Sequence, residues 1–503
     1  MLLIFSPVAK CCEPPAGIAR LAAALHTGGV PCRVLDANCE ATLWLMKQPH
    51  DATDIWTRRA ENSRVRNLTA LRSPQTYRTY DRYVRAVSDL NRLLTVGGQE
   101  CGAVVGLADY QHQRLSPLRS LDLLTAAEHP EQNPFFPWFS TRLPEMLEGV
   151  RTVGFSLNYL SQALCTFAMV GYVRQQFPEL AIVLGGGLVT SWVQRPGWRN
   201  PFAGLVDHLV AGPGEKILLK LLGGAEGPQR HVMPEYADLP LHEYLAPGLI
   251  LPYSASSGCY WSECSFCPER AEGNDYHPVP VRQALEELQV LTARERPVLI
   301  HILDNAVSPA LLQGLTDNPP GVPWYGFARF GSELEDLDFC VALRASGCVM
   351  LKLGLESGDQ GVLDRLHKGI DLGIASRVLL NLKKAGIAVY LYLLFGTPAE
   401  TEVEAHRTLE FVVRRRESIG FLNLALFNMP VCGAEAEALG TKPFYEGDLS
   451  LYTGFRHPRG WDRKQVRRFL DHEFKKAPAV AAILRNDPPL FTSNHAPFFT
   501  ERE

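Results

Sequence analysis

Three cysteines lie close together near the middle of the chain, in the segment SSGCYWSECSFCPER. Four residues separate Cys259 from Cys264, and two residues separate Cys264 from Cys267. Thiolates are the usual ligands of iron–sulfur clusters, and three thiolates on one loop can each bind a different iron of a cubane. The fourth iron would stay open to a small molecule that carries amino and carboxylate groups. The segment therefore predicts a 4Fe-4S site held by Cys259, Cys264 and Cys267.

Three other interpretations of these cysteines remain open at this point. A zinc site would need a fourth Cys or His nearby, and His277 is available, although no pair with zinc-knuckle spacing is present. A redox dithiol would use only two of the three thiols. Chance clustering of buried cysteines fits poorly with a loop rich in Gly, Ser, Glu and Pro. The cluster interpretation is favoured over all three.

The remaining composition is that of an ordinary globular protein. The chain has 503 residues, of which 46% are hydrophobic and 21% charged, and its net charge is -4, which disfavours nucleic acid as a partner. Two to four domains are expected at this length. Nine cysteines lie outside the trio, too few for a disulfide scaffold, and each is interpreted as a small buried hydrophobe. They are Cys11, Cys12, Cys32, Cys39, Cys101, Cys165, Cys340, Cys348 and Cys432.

The ends of the chain give no sign of export or membrane insertion. The first five residues, MLLIF, form an apolar run that Ser6-Pro7 ends, which is too short for a signal peptide and suits a buried strand. No apolar stretch of about 18 residues is present, so no membrane span is expected. These features predict a cytoplasmic protein.

The cysteine trio follows the first of a series of strands that alternate with helices. Helical segments such as Val281–Arg294 and Ile374–Ala385 lie between these strands. Six strand–helix steps predict a partial (β/α)6 barrel, in which the chemistry lies at the C-terminal ends of the strands. The predicted strands are Leu251–Ala255, Val298–Leu303, Trp324–Ala328, Val349–Leu353, Ala388–Leu393 and Phe421–Leu426.

A separate α/β unit precedes the barrel. Leu2–Phe5, a helix opened by Pro14-Pro15 and a strand over 32–36 form a strand–helix–strand unit, which predicts a parallel pair. Alternation resumes at Thr152 after a helical insertion over about 40–100. The fold class is therefore α/β, with a doubly wound, Rossmann-like first domain. The predicted divisions are 1–225 for that domain, 226–250 for a linker, 251–435 for the barrel and 436–503 for a small helical C-terminal extension, whose helix is expected over about Arg463–Leu484.

The cysteine loop and the barrel that follows it resemble the radical S-adenosylmethionine superfamily. The commonest spacing there is three residues and then two, and the longer Cys-Tyr-Trp-x-x-Cys form is similar to a variant of the cobalamin-binding branch. GLESGDQGVLDRLHKG resembles the fourth-strand segment, which implies that Glu356 and Ser357 contact the amino or ribose part of S-adenosylmethionine. A helix N-cap with acidic residues in its first turn is the alternative for this segment.

Three further residues follow from the same resemblance, which covers roughly 245–430. FGTPAET resembles the fifth-strand segment beside the adenine, where Gly396 permits close backbone approach. Asp304, after the second strand, and Arg329, at the end of the third, occupy positions where the resemblance implies pocket residues. Either could instead belong to a structural ion pair.

The first domain resembles the cobalamin-binding modules that precede such barrels. Ser156 in SLN and the pair Gly185-Gly186 are separated by the spacing of the family's Ser-x-Leu and Gly-Gly elements, with 26 residues between Asn158 and Gly185. The resemblance implies that Ser156 bonds the nucleotide tail and that the glycines let it lie against the backbone. The Asp-x-His-x-x-Gly signature, whose His binds cobalt, is missing, and DYQHQR at 109–114 is treated as coincidence. A domain that lacks the cofactor, or binds another ligand, is the alternative.

The resemblance implies a 4Fe-4S cluster, S-adenosylmethionine and cobalamin as cofactors, and methyl transfer to an unactivated carbon through a 5′-deoxyadenosyl radical. A non-methylating cyclase or rearrangement enzyme, and an iron–sulfur sensor without turnover, are the alternatives. Expected partners are a small-molecule or peptide substrate and an electron donor such as flavodoxin or ferredoxin. The aromatic tail either covers the barrel mouth or packs on its base. Its residues are Phe491, His495, Phe498 and Phe499.

Overall fold

The computed structural model describes residues 1–49, 54–225, 231–443, 447–489 and 495–500. Within these residues the chain forms two compact units. One contains residues 1–250 and the later segment 447–451, and the other contains 251–443, 452–488 and 495–500. None of the described helices is long and apolar enough to cross a membrane.

The first unit is built on a five-stranded parallel sheet. Its strands are β1 (Leu2–Phe5), β2 (Arg33–Leu35), β3 (Thr152–Ser156), β4 (Ala181–Gly185) and β5 (His208–Val210). They lie in the order β2-β1-β3-β4-β5, and every pairing is parallel. Strands covered on both faces need continuous apolar runs, and β1 is buried throughout. This is the flavodoxin-like doubly wound order, in which ligands bind beside the point where strand order reverses.

Helices cover this sheet and fill the long excursion between β2 and β3. Part of that excursion is a hairpin of Ala103–Val105 with Tyr110–His112. Asp89 is buried among the excursion helices, where it accepts bonds from Trp56, Arg59 and Asn67. The helices of the unit are Ala16–Thr27, Ala37–Lys47, Ile55–Leu71, Pro74–Tyr77, Tyr80–Gly98, Ser120–Glu128, Phe136–Leu147, Leu160–Gln176, Gly187–Val193 and Glu215–Leu222.

The second unit contains a six-stranded sheet whose strands are adjacent in chain order. They are β6 (Ile250–Tyr253), β7 (Leu299–Ile302), β8 (Trp324–Ala328), β9 (Cys348–Glu356), β10 (Ala388–Phe395) and β11 (Phe421–Leu426). The pairings from β7 to β11 are parallel. The connecting helices are Val281–Glu295, Pro309–Asp317, Leu337–Ala345, Gln360–Arg365, Leu372–Ala385 and Glu402–Arg415. Parallel connections of this kind bring the C-terminal ends of the strands to one edge of the sheet.

The residues after β11 form a three-stranded sheet of Met429–Pro430, Tyr452–Phe455 and Thr441–Lys442, together with short helices. A single helix over about 463–484 was predicted, and this prediction is wrong. The chain forms Arg463–Phe469, a π-helical turn over Leu470–Phe474, and a separate helix Pro478–Leu484. Proline cannot continue a helix but suits its first turn, so the second helix begins at Pro478.

The tail packs at the base of the second sheet. The ring of His495 lies 4.4 Å from the rings of both Tyr390 and Phe421, and Phe499 lies 5.7 Å from Phe421. Tyr390 is near the start of β10 and Phe421 is the first residue of β11, so this contact is at the N-terminal end of the strands. Of the two placements open from the sequence, these residues adopt the one at the base. Phe491 lies outside the described residues.

Candidate functional site

The three cysteines lie on the loop that leaves the C-terminal end of β6. Cys264 is buried, and Cys259 and Cys267 are half-buried. The loop is fixed at its later end, where the Ser265 N–H donates to the carbonyl of Leu366 at 3.1 Å. The Cys267 N–H donates to the carbonyl of Cys264 at 3.3 Å, which places both cysteines in one tight turn of the backbone. The loop thus presents three thiols at the edge where parallel strands end.

The zinc alternative gains no support from the loop geometry. In the part of the chain that the structure describes, no three His, Cys, Asp or Glu side chains converge closely enough to ligate one metal ion. His277 is exposed and belongs to a short antiparallel pair with Ser257. A cubane spreads its protein thiolates over different irons, so it does not require the thiols to meet at one point.

Two cations stand beside Cys264. The Arg329 Nη1 lies 4.0 Å from the Cys264 sulfur, and the Lys368 Nζ lies 5.4 Å from the centre of the Phe266 ring. Burial raises the pKa of the Cys264 thiol, while Lys368 and Arg329 act to lower it. Burial also raises the pKa of Cys267. Thiolates at these positions therefore need positive charge or a metal to be stable.

Asp304 holds the beginning of the cysteine loop. This carboxylate is 3% exposed and accepts bonds from the N–H groups of Ala255 (2.7 Å) and Ser256 (3.2 Å). Its other oxygen accepts the Ser256 hydroxyl at 2.6 Å. Burial raises the Asp304 pKa, against the effect of these three bonds. The side chain bonds to backbone and hydroxyl donors of the loop.

Glu356 ends β9 in a backbone conformation that is unusual for a glutamate, with φ of 70°. Its carboxylate pairs with the Lys368 ammonium at 2.8 Å, and both side chains are nearly buried. A Cβ added to Gly354 would lie 2.6 Å from the Glu356 carboxylate and 2.9 Å from the Lys368 ammonium. The glycine therefore leaves room for the ion pair above the end of the strand.

Ser357 is fully buried and is bonded within the protein. Its hydroxyl lies 3.2 Å from the Thr408 hydroxyl and accepts the Asp359 N–H at 3.2 Å. Asp359, in turn, is the N-cap of the helix Gln360–Arg365 through the Val362 N–H. The structure thus gives Ser357 a place in the turn that starts this helix, which is the alternative considered for the segment.

Gly396 follows β10 and adopts a left-handed conformation, with φ of 78°. Its N–H donates to Glu400 at 2.6 Å, and Trp461 donates to the same carboxylate oxygen at 3.0 Å. Burial raises the pKa of Glu400 to about 8 despite these bonds, so the carboxyl is largely protonated at pH 7. Gly396, Phe427, Asn428 and Trp461 are among the residues that line a cavity of about 380 Å³ at this edge.

The predicted cobalamin elements of the first unit lie together at the ends of β3 and β4. The Ser156 hydroxyl accepts the Asn158 amide at 3.0 Å, and Asn158 accepts the Gly187 N–H at 3.0 Å. Gly186 has φ of 108°, and a Cβ there would lie 2.4 Å from the carbonyl oxygen of Leu157. The glycine is therefore required for the two loops to approach each other.

The histidine of DYQHQR has a role within the protein itself. The Nδ1 of His112 accepts the N–H groups of Arg114 (3.1 Å) and Leu115 (2.9 Å). Its Nε2 lies 3.1 Å from the carbonyl of Cys101. Both ring nitrogens are thus engaged by the backbone of the hairpin and its flanking turn.

Two solved structures share this architecture. TsrM from Kitasatospora setae, a radical S-adenosylmethionine methyltransferase solved with cobalamin and a [4Fe-4S] cluster, matches with a TM-score of 0.51 and 16% identity over 89% of this chain and 79% of that one. OxsB, a cobalamin-dependent S-adenosylmethionine radical enzyme solved with aqua-cobalamin, matches with a TM-score of 0.51 and 14% identity over 84% and 53%. The chain has the fold of these two radical S-adenosylmethionine enzymes, both of which were solved with cobalamin. The predicted α/β class with parallel sheets, and the predicted resemblance to this family, are confirmed at the level of the fold.

Sequence comparison gives two curated relatives, both methyltransferases by name. An uncharacterised methyltransferase of Pyrococcus horikoshii is 26% identical over 233 residues, which are 42% of this chain and 50% of the relative. The bacteriochlorophyllide d C-12(1)-methyltransferase of Chlorobaculum tepidum is 25% identical over 177 residues, or 33% and 38%. The chain spans half or less of the length of these relatives. No protein-family model matches it.

The structure brings most of the predicted site residues to one edge of the second sheet. Several residues there were missed from the sequence. Lys368 lies in the segment GLESGDQGVLDRLHKG but was not predicted as a site residue, although its ammonium pairs with the Glu356 carboxylate. Trp261 and Glu400 were likewise not predicted as site residues, although they lie in the cysteine loop and in FGTPAET. No local sequence signal marks either Lys368 or Glu400, since Lys368 is one of several charged residues in DRLHKG and Glu400 lies five residues after the end of β10.

Proposed function

We propose that the chain is a cobalamin-dependent radical S-adenosylmethionine enzyme that transfers a methyl group to an unactivated carbon. The observation that carries the proposal is the loop of Cys259, Cys264 and Cys267 at the end of β6, with Arg329 beside a sulfur. Three thiols with an adjacent cation suit an anionic cluster that leaves one iron open. The names of both curated relatives favour methyl transfer over other radical reactions.

The thiol set fits a 4Fe-4S cluster, which Cys259, Cys264 and Cys267 would hold. When bound, a reduced cluster of this type supplies the electron that splits S-adenosylmethionine into methionine and a 5′-deoxyadenosyl radical. The contributions of the chain itself are to hold the ligands, to orient the substrate and to exclude water. Asp304 serves the first of these tasks, because it fixes the backbone of Ala255 and Ser256 ahead of the cysteines.

Glu356 and Gly396 are the residues that we assign to S-adenosylmethionine. Glu356 lies at the C-terminal end of β9, where its carboxylate, paired with the Lys368 ammonium, could accept from the amino group of the ligand. The Gly396 turn offers backbone without a side chain beside the cavity at the end of β10. We assign Ser357 to support of this edge rather than to direct contact, since its hydroxyl bonds Thr408.

We assign cobalamin to the first unit, at the loops that follow β3 and β4. The switch point of a flavodoxin-like sheet is the usual ligand site of that fold. Ser156, Gly185 and Gly186 lie at the strand ends beside it, and Gly186 has no side chain that could obstruct the approach of a nucleotide tail. We propose that residues 1–225 bind cobalamin, that residues 251–435 carry out the radical reaction, and that residues 436–503 form a C-terminal extension.

We further propose a cytoplasmic setting, in which a flavodoxin or ferredoxin supplies the electron and the substrate is a small molecule or a peptide. A low-potential donor is required because the cluster must be reduced before S-adenosylmethionine is cleaved. Such donors are present in the reducing compartment that also keeps free thiols unpaired. No disulfide joins any of the twelve cysteines, all of which lie in the part of the chain that the structure describes, as a reducing compartment would require.

The experiment is anaerobic reconstitution with iron and sulfide, with cobalamin supplied, followed by incubation with dithionite and S-adenosylmethionine. We expect a brown protein with about four irons per chain, a bound corrinoid, and both 5′-deoxyadenosine and S-adenosylhomocysteine as products. Cys264→Ala should abolish the cluster absorbance and 5′-deoxyadenosine formation. Cys340→Ala is the matched control, because Cys340 is also buried in the second unit and should leave the iron content unchanged.

Each part of the proposal can fail separately. No 5′-deoxyadenosine from a fully loaded cluster would overturn the radical assignment and favour a sensor. 5′-Deoxyadenosine without S-adenosylhomocysteine, with substrate present, would overturn methyl transfer and favour a cyclase or rearrangement enzyme. No corrinoid absorbance after cobalamin is supplied would overturn the assignment to the first unit.

A further inference from the structure

Trp261 connects the cysteine loop to the segment after the helix Gln360–Arg365. It lies between Cys259 and Cys264, in the stretch that is one residue longer than the common spacing. The next residue, Ser262, has φ of 46°, so the chain turns sharply there. The Trp261 indole N–H donates to the carbonyl of His367 at 3.1 Å. The longer loop therefore reaches a second loop that also carries Lys368.

The indole ring lies directly against Gly369. A Cβ at this position would be 2.1 Å from an atom of the Trp261 ring, so no other residue fits without movement of the ring. Gly369 also has φ of 64°, which favours glycine independently. The His367 carbonyl and the space left by Gly369 thus hold the indole in place.

Arg329 lies against the same indole ring. Its guanidinium carbon is 4.2 Å from the ring centroid, within the range of a cation–π contact. Its Nη2 donates to the carbonyl of Lys368, and its Nη1 lies 4.0 Å from the Cys264 sulfur. The guanidinium is therefore held on one face by Trp261 and at one edge by the backbone, and its other edge points to a cysteine ligand.

We propose that Arg329, held by Trp261, is a positioning residue that raises the reduction potential of the cluster. The inference rests on the proposed function, since it assumes a cluster on the three cysteines. Hydrogen bonds to ligand sulfur and nearby charge are among the factors that set cluster potentials. Reduction adds one electron from an external donor and makes the site one charge more negative. A fixed cation near sulfur stabilises the reduced form more than the oxidised form.

Arginine suits this position better than lysine would. Its charge persists at any physiological pH, and its planar group can stack on an indole while it donates from two edges. The contact also gives the longer cysteine spacing a physical role, because the four residues between Cys259 and Cys264 include the tryptophan that supports Arg329. The role is distinct from S-adenosylmethionine binding, which was the expectation for Arg329 from the sequence.

The test measures the cluster potential without requiring turnover. Wild type, Arg329→Gln, Trp261→Leu and Arg282→Gln are reconstituted, and the reduced fraction is followed by electron paramagnetic resonance at poised potentials without S-adenosylmethionine. At the potential where wild type is half reduced, we expect the ratio of reduced to oxidised cluster in Arg329→Gln to fall about tenfold, a shift of about 59 mV for one electron. Trp261→Leu should shift in the same direction by less. Arg282→Gln removes an equal charge from a side chain that is 91% exposed and should match wild type.

A fully loaded Arg329→Gln variant with the wild-type potential would overturn the inference while leaving the proposed function intact. Failure of wild type to bind a cluster would instead overturn the proposed function. If Arg329→Gln does not retain iron, Arg329→Lys and Trp261→Leu take its place. Arg329→Lys keeps the positive charge but loses the planar guanidinium that stacks on Trp261. Its cluster potential should therefore lie between those of wild type and Trp261→Leu. Wild-type potentials in both variants would contradict the proposal.

Discussion

Replacing Glu400 by glutamine should stabilise the second unit at neutral pH. The Glu400 side chain is fully buried, and Gly396 and Trp461 both donate to one of its oxygens. Burial raises its pKa from 4.5 to about 8. An acid with a raised pKa in the folded state favours folding most at low pH. That contribution is complete below pH 4.5 and is lost as the pH rises towards 8.

The size of this effect follows from the two pKa values. Each pH unit between them changes the free energy of unfolding by about 1.4 kcal/mol, so the loss by pH 7 is roughly 3 kcal/mol. Glutamine keeps an oxygen that can accept from Gly396 and Trp461 but carries no titratable proton. Glu400→Gln should therefore raise the thermal unfolding midpoint at pH 7 by about 6 to 12 °C, given a unit of this size. The gain should grow between pH 5 and pH 8.

The assay is calorimetric unfolding of the full chain at several pH values between 5 and 8.5. Glu404→Gln is the matched control, since it changes the same residue type four positions later, in the first turn of the helix Glu402–Arg415. The Glu404 carboxylate accepts the Thr401 N–H at 2.8 Å and the Arg459 guanidinium at 3.2 Å, and its pKa is lowered by these bonds despite partial burial. Glu404→Gln should lower the free energy of unfolding of the second unit by about 1 kcal/mol.

A Glu400→Gln variant with a lower midpoint at pH 8, or with the same dependence on pH as wild type, would refute the reasoning. The first result would mean that the charged carboxylate is stabilised by its two donors more strongly than burial opposes it. The second would mean that folding does not raise the pKa of Glu400. Either outcome would mean that the Glu400 carboxyl is not held protonated at pH 7.

Two further variants test the loops themselves. Asp304→Ala leaves the buried N–H groups of Ala255 and Ser256 without their acceptor, which costs about 1 to 3 kcal/mol for each group. The cysteine loop should therefore become sensitive to limited proteolysis, and the reconstituted variant should lose iron. Asp304→Asn should show both effects to a smaller extent. Gly186→Ala forces a Cβ against the Leu157 carbonyl and should destabilise the first unit by about 2 kcal/mol or more. Corrinoid absorbance of the reconstituted variant would show whether this turn also bears on cobalamin, and unchanged unfolding and absorbance would contradict its role.

The sequence predicted the local elements better than the contacts between loops. Continuous apolar runs such as Leu2–Phe5 have few alternatives to a buried parallel strand, and β1 is observed there. The cysteine spacing likewise predicts a ligand loop without any tertiary information. The helix break at Pro478 could have been predicted, because proline in a helix interior removes a hydrogen bond and clashes with the preceding turn.

The contacts made by Trp261, Arg329 and Lys368 were outside the reach of sequence reasoning. These three residues are separated by 39 or more positions, and nothing in their local pattern shows that they meet. Two of their contacts are to backbone carbonyls, which every residue carries. Ser357 illustrates the opposite limit, because a serine after a strand end suits a ligand and a helix start equally well until Thr408 is seen beside it.

The segment 447–451 belongs to the first unit, although it follows the whole six-stranded sheet in the chain. There the Ser120 N–H donates to Asp448 at 2.8 Å, and the Leu449 N–H donates to the carbonyl of Leu118 at 2.9 Å. During synthesis the first unit therefore cannot complete its contacts until some 200 residues after 250 have been added. At ribosomal rates this is a delay of about 10 to 40 s. A fragment that ends at 250 would permanently resemble that unfinished intermediate.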